Sequence, residues 1–76
     1  MGSLKRGKVI NNVRVFRRTL DMTQEELANK VGVHRQTIIS IEKQKYEPAI
    51  GVVLTISEVL NKPIEKLFYL EKETND

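Results

Sequence analysis

A capping signature and a glycine set the limits of one very short helix in the first half of the chain. Thr23 and Glu26 have the spacing of a capping box, in which the hydroxyl and the carboxylate each accept a hydrogen bond from a backbone amide at the start of a helix. Gly32 supplies a residue that readily adopts the left-handed conformation in which many helices end. Leu27 and Val31 form the apolar side of the helix predicted between them. A helix of about two turns is not stable alone, so it must pack against neighbours.

A second short helix comes after the glycine and a brief turn. It is predicted to begin near His34 or Arg35 and to end at about Lys43, with Ile38 and Ile41 on its apolar side. Two short helices joined by a turn of about three or four residues that contains glycine form the helix-turn-helix motif. The middle of the chain is therefore predicted to be such a unit.

The segment ahead of this unit supports two interpretations. Apolar residues recur there at spacings of four, three and four, as on one side of a helix: Val9, Val13, Phe16 and Leu20. Alternatively, residues 8–10 (KVI) are a short extended segment that leads into a helix from about Asn11 or Asn12.

Further elements are predicted after the unit. A fourth helix runs from roughly Ile50 to Leu60, and Asn61 and Pro63 are suited to end it and to start a short fifth helix. Residues 68–72 (FYLEK) have the alternation and the residue types of a short strand. The predicted fold is all-α, with five helices in one domain over residues 9–70 and extended segments at its ends.

The charge of the chain is unevenly distributed. The net charge is +3, but residues 1–20 contain six basic residues and no acidic one, whereas residues 65–76 have a local charge of −2. A basic surface on a small domain suits a polyanion such as double-stranded DNA, and an ordinary solvated surface is the alternative. Residues 1–8 are expected to be a disordered basic arm that could also reach a DNA groove, and residues 71–76 a tail.

The composition leaves little for catalysis or metal binding. The 76 residues include no cysteine and a single histidine, so no catalytic residue, metal site, cofactor or small-molecule ligand is predicted. No apolar run approaches the roughly 18 residues that span a bilayer, and no secretory signal is present. A cytoplasmic protein with no membrane partner is therefore expected, and an enzyme is not.

The outward side of the third predicted helix carries side chains suited to the edges of DNA bases. At about 100° per residue, the four candidates for base contact lie away from the apolar side: Arg35, Gln36, Ile39 and Ser40. Arginine can bridge guanine O6 and N7, and glutamine can pair with adenine N6 and N7. Alternatives stay open, since Arg35 could contact phosphate only, Ser40 could serve phosphate or water, and Ile39 could contact a thymine methyl or pack against the second helix.

Phosphate contacts are expected around these residues. Gln24 opens the second helix, where unpaired backbone amides and the side-chain amide can meet a phosphate. Thr37 and Lys43 are further candidates, with ordinary surface positions as the alternative.

Two stretches of the chain resemble a known family. Residues 22–48 (MTQEELANKVGVHRQTIISIEKQKYEP) and 56–68 (ISEVLNKPIEKLF) are similar to the Cro/CI-type, or xenobiotic-response-element-type, helix-turn-helix repressors, and most to their small single-domain members. The resemblance implies a five-helix lambda-repressor-like domain that binds a pseudo-palindromic operator as a homodimer. In some of these relatives the chain ends pair as a short antiparallel β-ribbon, which would suit KVI and FYLEK.

The resemblance also implies roles for individual residues. Lys45 and Tyr46 match the loop that contacts phosphate, and Arg17 and Glu42 match a structural ion pair between the first and third helices.

The chain departs from the family pattern at three positions. His34 stands in place of a capping hydroxyl, either as a poor cap or as an imidazolium near phosphate. Gln44 replaces a glycine, and Ala49 replaces the cap of the fourth helix, each at a penalty of roughly 1 kcal/mol.

The sequence thus predicts a DNA-binding transcriptional regulator, a repressor that occludes a promoter. The fifth helix is expected to contribute the dimer interface, because with the following four residues it offers the largest apolar surface left after the core is filled: Leu67, Phe68, Tyr69 and Leu70. The alternative function is the antitoxin of a toxin–antitoxin pair, for which only residues 1–8 and 71–76 remain as a toxin-binding segment.

Overall fold

Five helices and a two-stranded sheet make up the computed structural model, which describes residues 7–71. The elements in chain order are β1 (Lys8–Asn11), α1 (Val13–Thr19), α2 (Gln24–Val31), α3 (Arg35–Glu42), α4 (Ile50–Leu60), α5 (Ile64–Leu67) and β2 (Phe68–Glu71). The strands pair antiparallel, with Val9 opposite Leu70 and Asn11 opposite Phe68. The predicted five-helix fold and the short ribbon formed by the two ends are both confirmed. None of these helices is long and apolar enough to cross a membrane.

The extended interpretation of residues 8–10 is the correct one. Val9 lies in β1 and pairs with β2, and α1 begins only at Val13. The side chain of Leu20, at the other end of the apparent helical pattern, is 51% exposed. A strand of four residues is too short to reveal its alternation, so the spacing of Val9 and Leu20 imitated a longer helix.

The structure describes only part of the two chain ends. Of the arm over residues 1–8 and the tail over residues 71–76, only Gly7, Lys8 and Glu71 lie within the described residues, and Lys8 pairs with Glu71 at the end of the ribbon. A Cβ atom on Gly7 would lie 2.0 Å from the carbonyl oxygen of Glu71, so this position requires glycine.

One apolar core connects all five helices. Each helix contributes at least one buried side chain, and the set is Val13, Leu27, Ala28, Ile38, Ile41, Val53, Ile56, Leu60 and Leu67. Full burial of a leucine or isoleucine side chain contributes roughly 1.5–3 kcal/mol. This burial holds together helices that are individually too short to persist in water.

The predicted limits of α2 are also confirmed. The hydroxyl of Thr23 accepts a hydrogen bond from the backbone amide of Glu26 at 3.0 Å, and the carboxylate of Glu26 accepts one from the backbone amide of Thr23 at 2.9 Å. Gly32 ends the helix with φ of 88°. The second of these hydrogen bonds lowers the pKa of Glu26, because it favours the ionised carboxylate.

Candidate nucleic-acid interface

Two hydrogen-bonded anchors hold α3 from the side that faces the protein. The first is the ion pair between Arg17 and Glu42, whose side chains are 10% and 3% exposed. The Arg17 Nε and Nη2 atoms donate to the two carboxylate oxygens at 2.7 and 3.1 Å, and Nη1 donates to the carbonyl of Met22 at 2.6 Å. Gln24 Nε2 donates to the same carboxylate at 3.1 Å. The pair predicted from the family resemblance is therefore present, and it joins α1, α2 and α3.

The second anchor was missed by sequence reasoning. Gln44 Oε1 accepts hydrogen bonds from the backbone amide of Asn11 at 3.0 Å and from Asn11 Nδ2 at 2.6 Å. Asn11 Nδ2 also donates to the carbonyl of Ile41 in the last turn of α3, at 2.8 Å. We call this arrangement the Asn11–Gln44 clamp. It attaches the ribbon to the end of α3, and the only local signal for it was a glutamine where glycine was expected.

Gln44 has the left-handed backbone conformation expected at its position, with φ of 64°. Its side chain contributes the clamp, which offsets the conformational penalty of a non-glycine residue there. His34 and Ala49 precede α3 and α4, and neither makes a side-chain capping hydrogen bond. Both residues are therefore poor helix caps, as predicted.

The outward side of α3 is available to a ligand. Ile38 and Ile41 are fully buried on the side of α3 that faces the core. Arg35 and Gln36, at the start of the helix, therefore point toward solvent and are exposed. Within residues 7–71 neither of these two side chains has a hydrogen-bond or ion-pair partner. The helix therefore presents a guanidinium and an amide whose donors are free, as the predicted orientation required.

The side chains on the two sides of α3 line two separate depressions. We call the side toward α1 and the start of α2 the α1 flank. The groove on this flank is lined by the buried ion pair and by Arg14, Arg18, Thr23, Gln24, Glu25, Arg35, Ile39 and Lys43. On the side toward the loop after α3, the loop flank, the depression is lined by His34, Gln36, Thr37, Ser40, Lys45 and Tyr46. All ten residues predicted to contact bases or phosphates lie on one of these two flanks.

Two residues on the α1 flank combine interior contacts with free groups. The half-buried side chain of Ile39 lines the groove, so its apolar surface is only partly covered by the protein. The side-chain amide of Gln24 donates one hydrogen to Glu42, so its second hydrogen is free to bind a ligand. The backbone amide of Gln24 is the first of α2 and has no hydrogen-bond partner within the helix.

The predicted dimer interface needs a correction. Leu67 is fully buried in the core of its own chain, and Phe68 is half-buried against that core, so Leu67 is not available to a second subunit. Tyr69 and Leu70 remain 45% and 52% exposed. The prediction treated the apolar run as one surface, but α5 turns its last side chain into the core, and of the four residues only Tyr69 and Leu70 are exposed.

Comparisons with known proteins agree with this architecture. The helix-turn-helix family pattern matches residues 13–67. An uncharacterized HTH-type transcriptional regulator of Archaeoglobus fulgidus is 49% identical over 61 residues, which cover 80% of this chain and 87% of that protein. The control protein C.SmaI of Serratia marcescens is 32% identical over 56 residues, which cover 74% of this chain and 67% of that protein.

A solved structure shows the same fold over nearly the whole chain. The transcriptional regulator VanUg superposes with a TM-score of 0.75 at 23% identity, and the match covers 96% of this chain and 97% of that one. The family consists of DNA-binding regulators and is not an enzyme class. This chain therefore belongs to the Cro/CI-type helix-turn-helix family of DNA-binding transcriptional regulators.

Proposed function

We propose that the protein is a repressor that binds a two-fold operator as a homodimer, with the amino-terminal end of α3 in the major groove. The observation that carries this proposal is the start of α3, where Arg35 and Gln36 are exposed and have no partner among residues 7–71. In helix-turn-helix proteins this end of the second helix of the motif contacts base edges. The relatives named above are regulators and a control protein, which does not favour the antitoxin alternative.

Base recognition would depend on four side chains of α3. Arg35 would bridge O6 and N7 of a guanine, and Gln36 would pair with N6 and N7 of an adenine. Ile39 would contact a thymine methyl, and Ser40 would donate to or accept from a base edge. The ion pair and the Asn11–Gln44 clamp fix the helix before DNA arrives, so binding would order only these side chains.

The two flanks would bind the two DNA strands. The major groove is about 12 Å wide and a helix with side chains is about 10–12 Å across, so a phosphate backbone passes on each side of α3. Gln24 and Lys43 line the groove on the α1 flank and would contact the strand on that side. The candidates on the loop flank are His34, Thr37, Lys45 and Tyr46.

Dimerisation would use the outer part of the β-ribbon. Tyr69 and Leu70 expose apolar surface there, which a second subunit would remove from water. Leu70→Glu should therefore shift the protein toward monomer in sedimentation at micromolar concentration and weaken operator binding. Leu54→Glu on α4 is the matched control, because Leu54 is 49% exposed and lies outside the ribbon. A monomeric wild-type protein, or dissociation by the control alone, would contradict this interface.

Selection of bound sequences from a random pool of duplex DNA tests the function as a whole. The expected result is a two-fold symmetric site whose half-sites are separated by about 34 Å, or one helical turn. Recovery of an asymmetric site would contradict the homodimer, and failure to enrich any sequence would contradict operator recognition.

A further inference from the structure

We propose that Arg14 and Arg18 of α1 form a second phosphate-binding surface, which binds the backbone of the DNA strand on the α1 flank. This inference rests on the proposed entry of α3 into the major groove. Neither arginine belongs to the helix-turn-helix unit formed by α2 and α3.

Both arginines lie on one side of α1 and are exposed. They are four residues apart, a spacing that places side chains one turn above each other, and both line the groove that also contains Arg35 and Lys43. Arg17 lies between them in sequence but turns inward to Glu42. Neither Arg14 nor Arg18 pairs with an acidic side chain within residues 7–71.

The groove is therefore strongly positive. Its charged lining consists of four exposed cations, one exposed carboxylate and a buried ion pair that is neutral: Arg14, Arg18, Arg35, Lys43, Glu25 and Arg17–Glu42. The local charge of +3 is concentrated beside α3. The walls of the groove focus the electric field of these charges on the space between them. An anion that entered the groove would meet guanidinium groups from both α1 and α3.

The position of Arg14 does not serve the stability of α1. The first turn of a helix favours acidic side chains because of the helix dipole, yet the first turn of α1 contains no acid and carries Arg14. Arg14 and Arg18 also repel each other at their four-residue spacing. A bound anion would relieve both unfavourable interactions, which is the pattern expected of residues placed for binding.

The chemistry of the site matches a phosphodiester. Arginine presents two parallel donors that fit two phosphate oxygens, and it stays charged at every physiological pH. The strand on the α1 flank would already meet the free amide hydrogen of Gln24 at the edge of the groove. Arg14 and Arg18 would extend that contact along the same strand, and they would hold the backbone without reading bases.

The salt dependence of DNA binding tests this surface. The experiment compares Arg14→Gln/Arg18→Gln with Lys30→Gln/Lys66→Gln, which removes the same charge from exposed residues outside the groove. Affinity for the duplex recovered by selection is measured as a function of KCl concentration. Each lost phosphate contact reduces the slope of log K against log [salt] by about 0.9, so the arginine double variant should lose about 1.8 and the lysine variant much less. Arg14→Lys/Arg18→Lys keeps the charge and should retain most of the slope.

Several outcomes would overturn the inference. If the arginine and lysine double variants change the slope equally, the arginines act only through net charge. If the arginine variant changes base preference, the two residues read bases rather than phosphates. If wild-type protein enriches no sequence, the proposed operator recognition fails; the same slopes, measured on an unselected duplex, still decide whether the α1 arginines bind phosphate.

Discussion

Replacement of Glu42 by alanine tests whether the ion pair beneath α3 holds the fold together. The Glu42 side chain is 3% exposed and accepts hydrogen bonds from Arg17 at 2.7 and 3.1 Å and from Gln24 at 3.1 Å. Its removal would leave the guanidinium of Arg17, itself 10% exposed, with the carbonyl of Met22 as its remaining partner. The variant therefore creates a buried charge without a counter-ion.

The expected loss is a large part of the total stability. Removal of one partner from a buried ion pair costs about 3–5 kcal/mol. A domain of 76 residues has a free energy of unfolding of roughly 4–11 kcal/mol, at about 0.05–0.15 kcal/mol per residue. For a domain of this size about 3 kcal/mol lowers the melting temperature by at least roughly 12 °C.

Urea denaturation followed by circular dichroism measures this loss. The controls are Arg17→Met and the double variant Arg17→Met/Glu42→Leu, in which both charges are replaced by apolar groups. The double variant should be more stable than either single variant, because no charge is left unpaired in the interior. A loss below about 1 kcal/mol for Glu42→Ala, as measured for exposed ion pairs, would refute the reasoning.

Two further predictions concern the second anchor and the cap of α2. Asn11→Ala removes the Nδ2 donor of the Asn11–Gln44 clamp, which serves both Gln44 Oε1 and the carbonyl of Ile41, and leaves only the hydrogen bond from the backbone amide at this position. The variant should lose about 1–3 kcal/mol of unfolding free energy and show faster amide exchange at the end of α3. Gln44→Gly should lose less, since glycine relieves the left-handed strain, and equal losses would contradict the role of strain. The pKa of Glu26 is lower in the folded chain than in the unfolded one. The ionised carboxylate therefore stabilises the fold at any pH above the ordinary carboxyl pKa of about 4.3. This stabilisation is lost as the pH falls through the lower pKa of the folded state. Glu26→Gln should therefore lower stability at neutral pH and flatten the acid dependence of unfolding, and an unchanged acid dependence would contradict the cap.

Features with a local cause could be predicted from the sequence. The capping box and Gly32 fix α2 through contacts between residues a few positions apart, so residue types alone revealed its limits. The orientation of α3 followed from the positions of Ile38 and Ile41, because a helix converts spacing into direction. The ribbon and the Arg17–Glu42 pair were expected only through the family resemblance.

Features that depend on distant parts of the chain could not be predicted in this way. Asn11 and Gln44 are 33 residues apart, and nothing in the spacing of either residue indicates the other. The burial of Leu67 depends on where α5 ends against the core, which an apolar run does not show. Arg14 and Arg18 contributed to a basic segment in the sequence, but only the packing of α1 beside α3 places them in the groove.

The base preference of Arg35→Ala tests the central claim most directly. Wild type and variant are compared on operator duplexes in which each half-site position carries each of the four bases in turn. If α3 reads the major groove as proposed, the variant loses discrimination at one position per half-site, by roughly 5- to 150-fold, and keeps its preferences elsewhere. If the variant binds every duplex more weakly by the same factor, Arg35 contacts phosphate, and the proposed mode of base recognition is wrong.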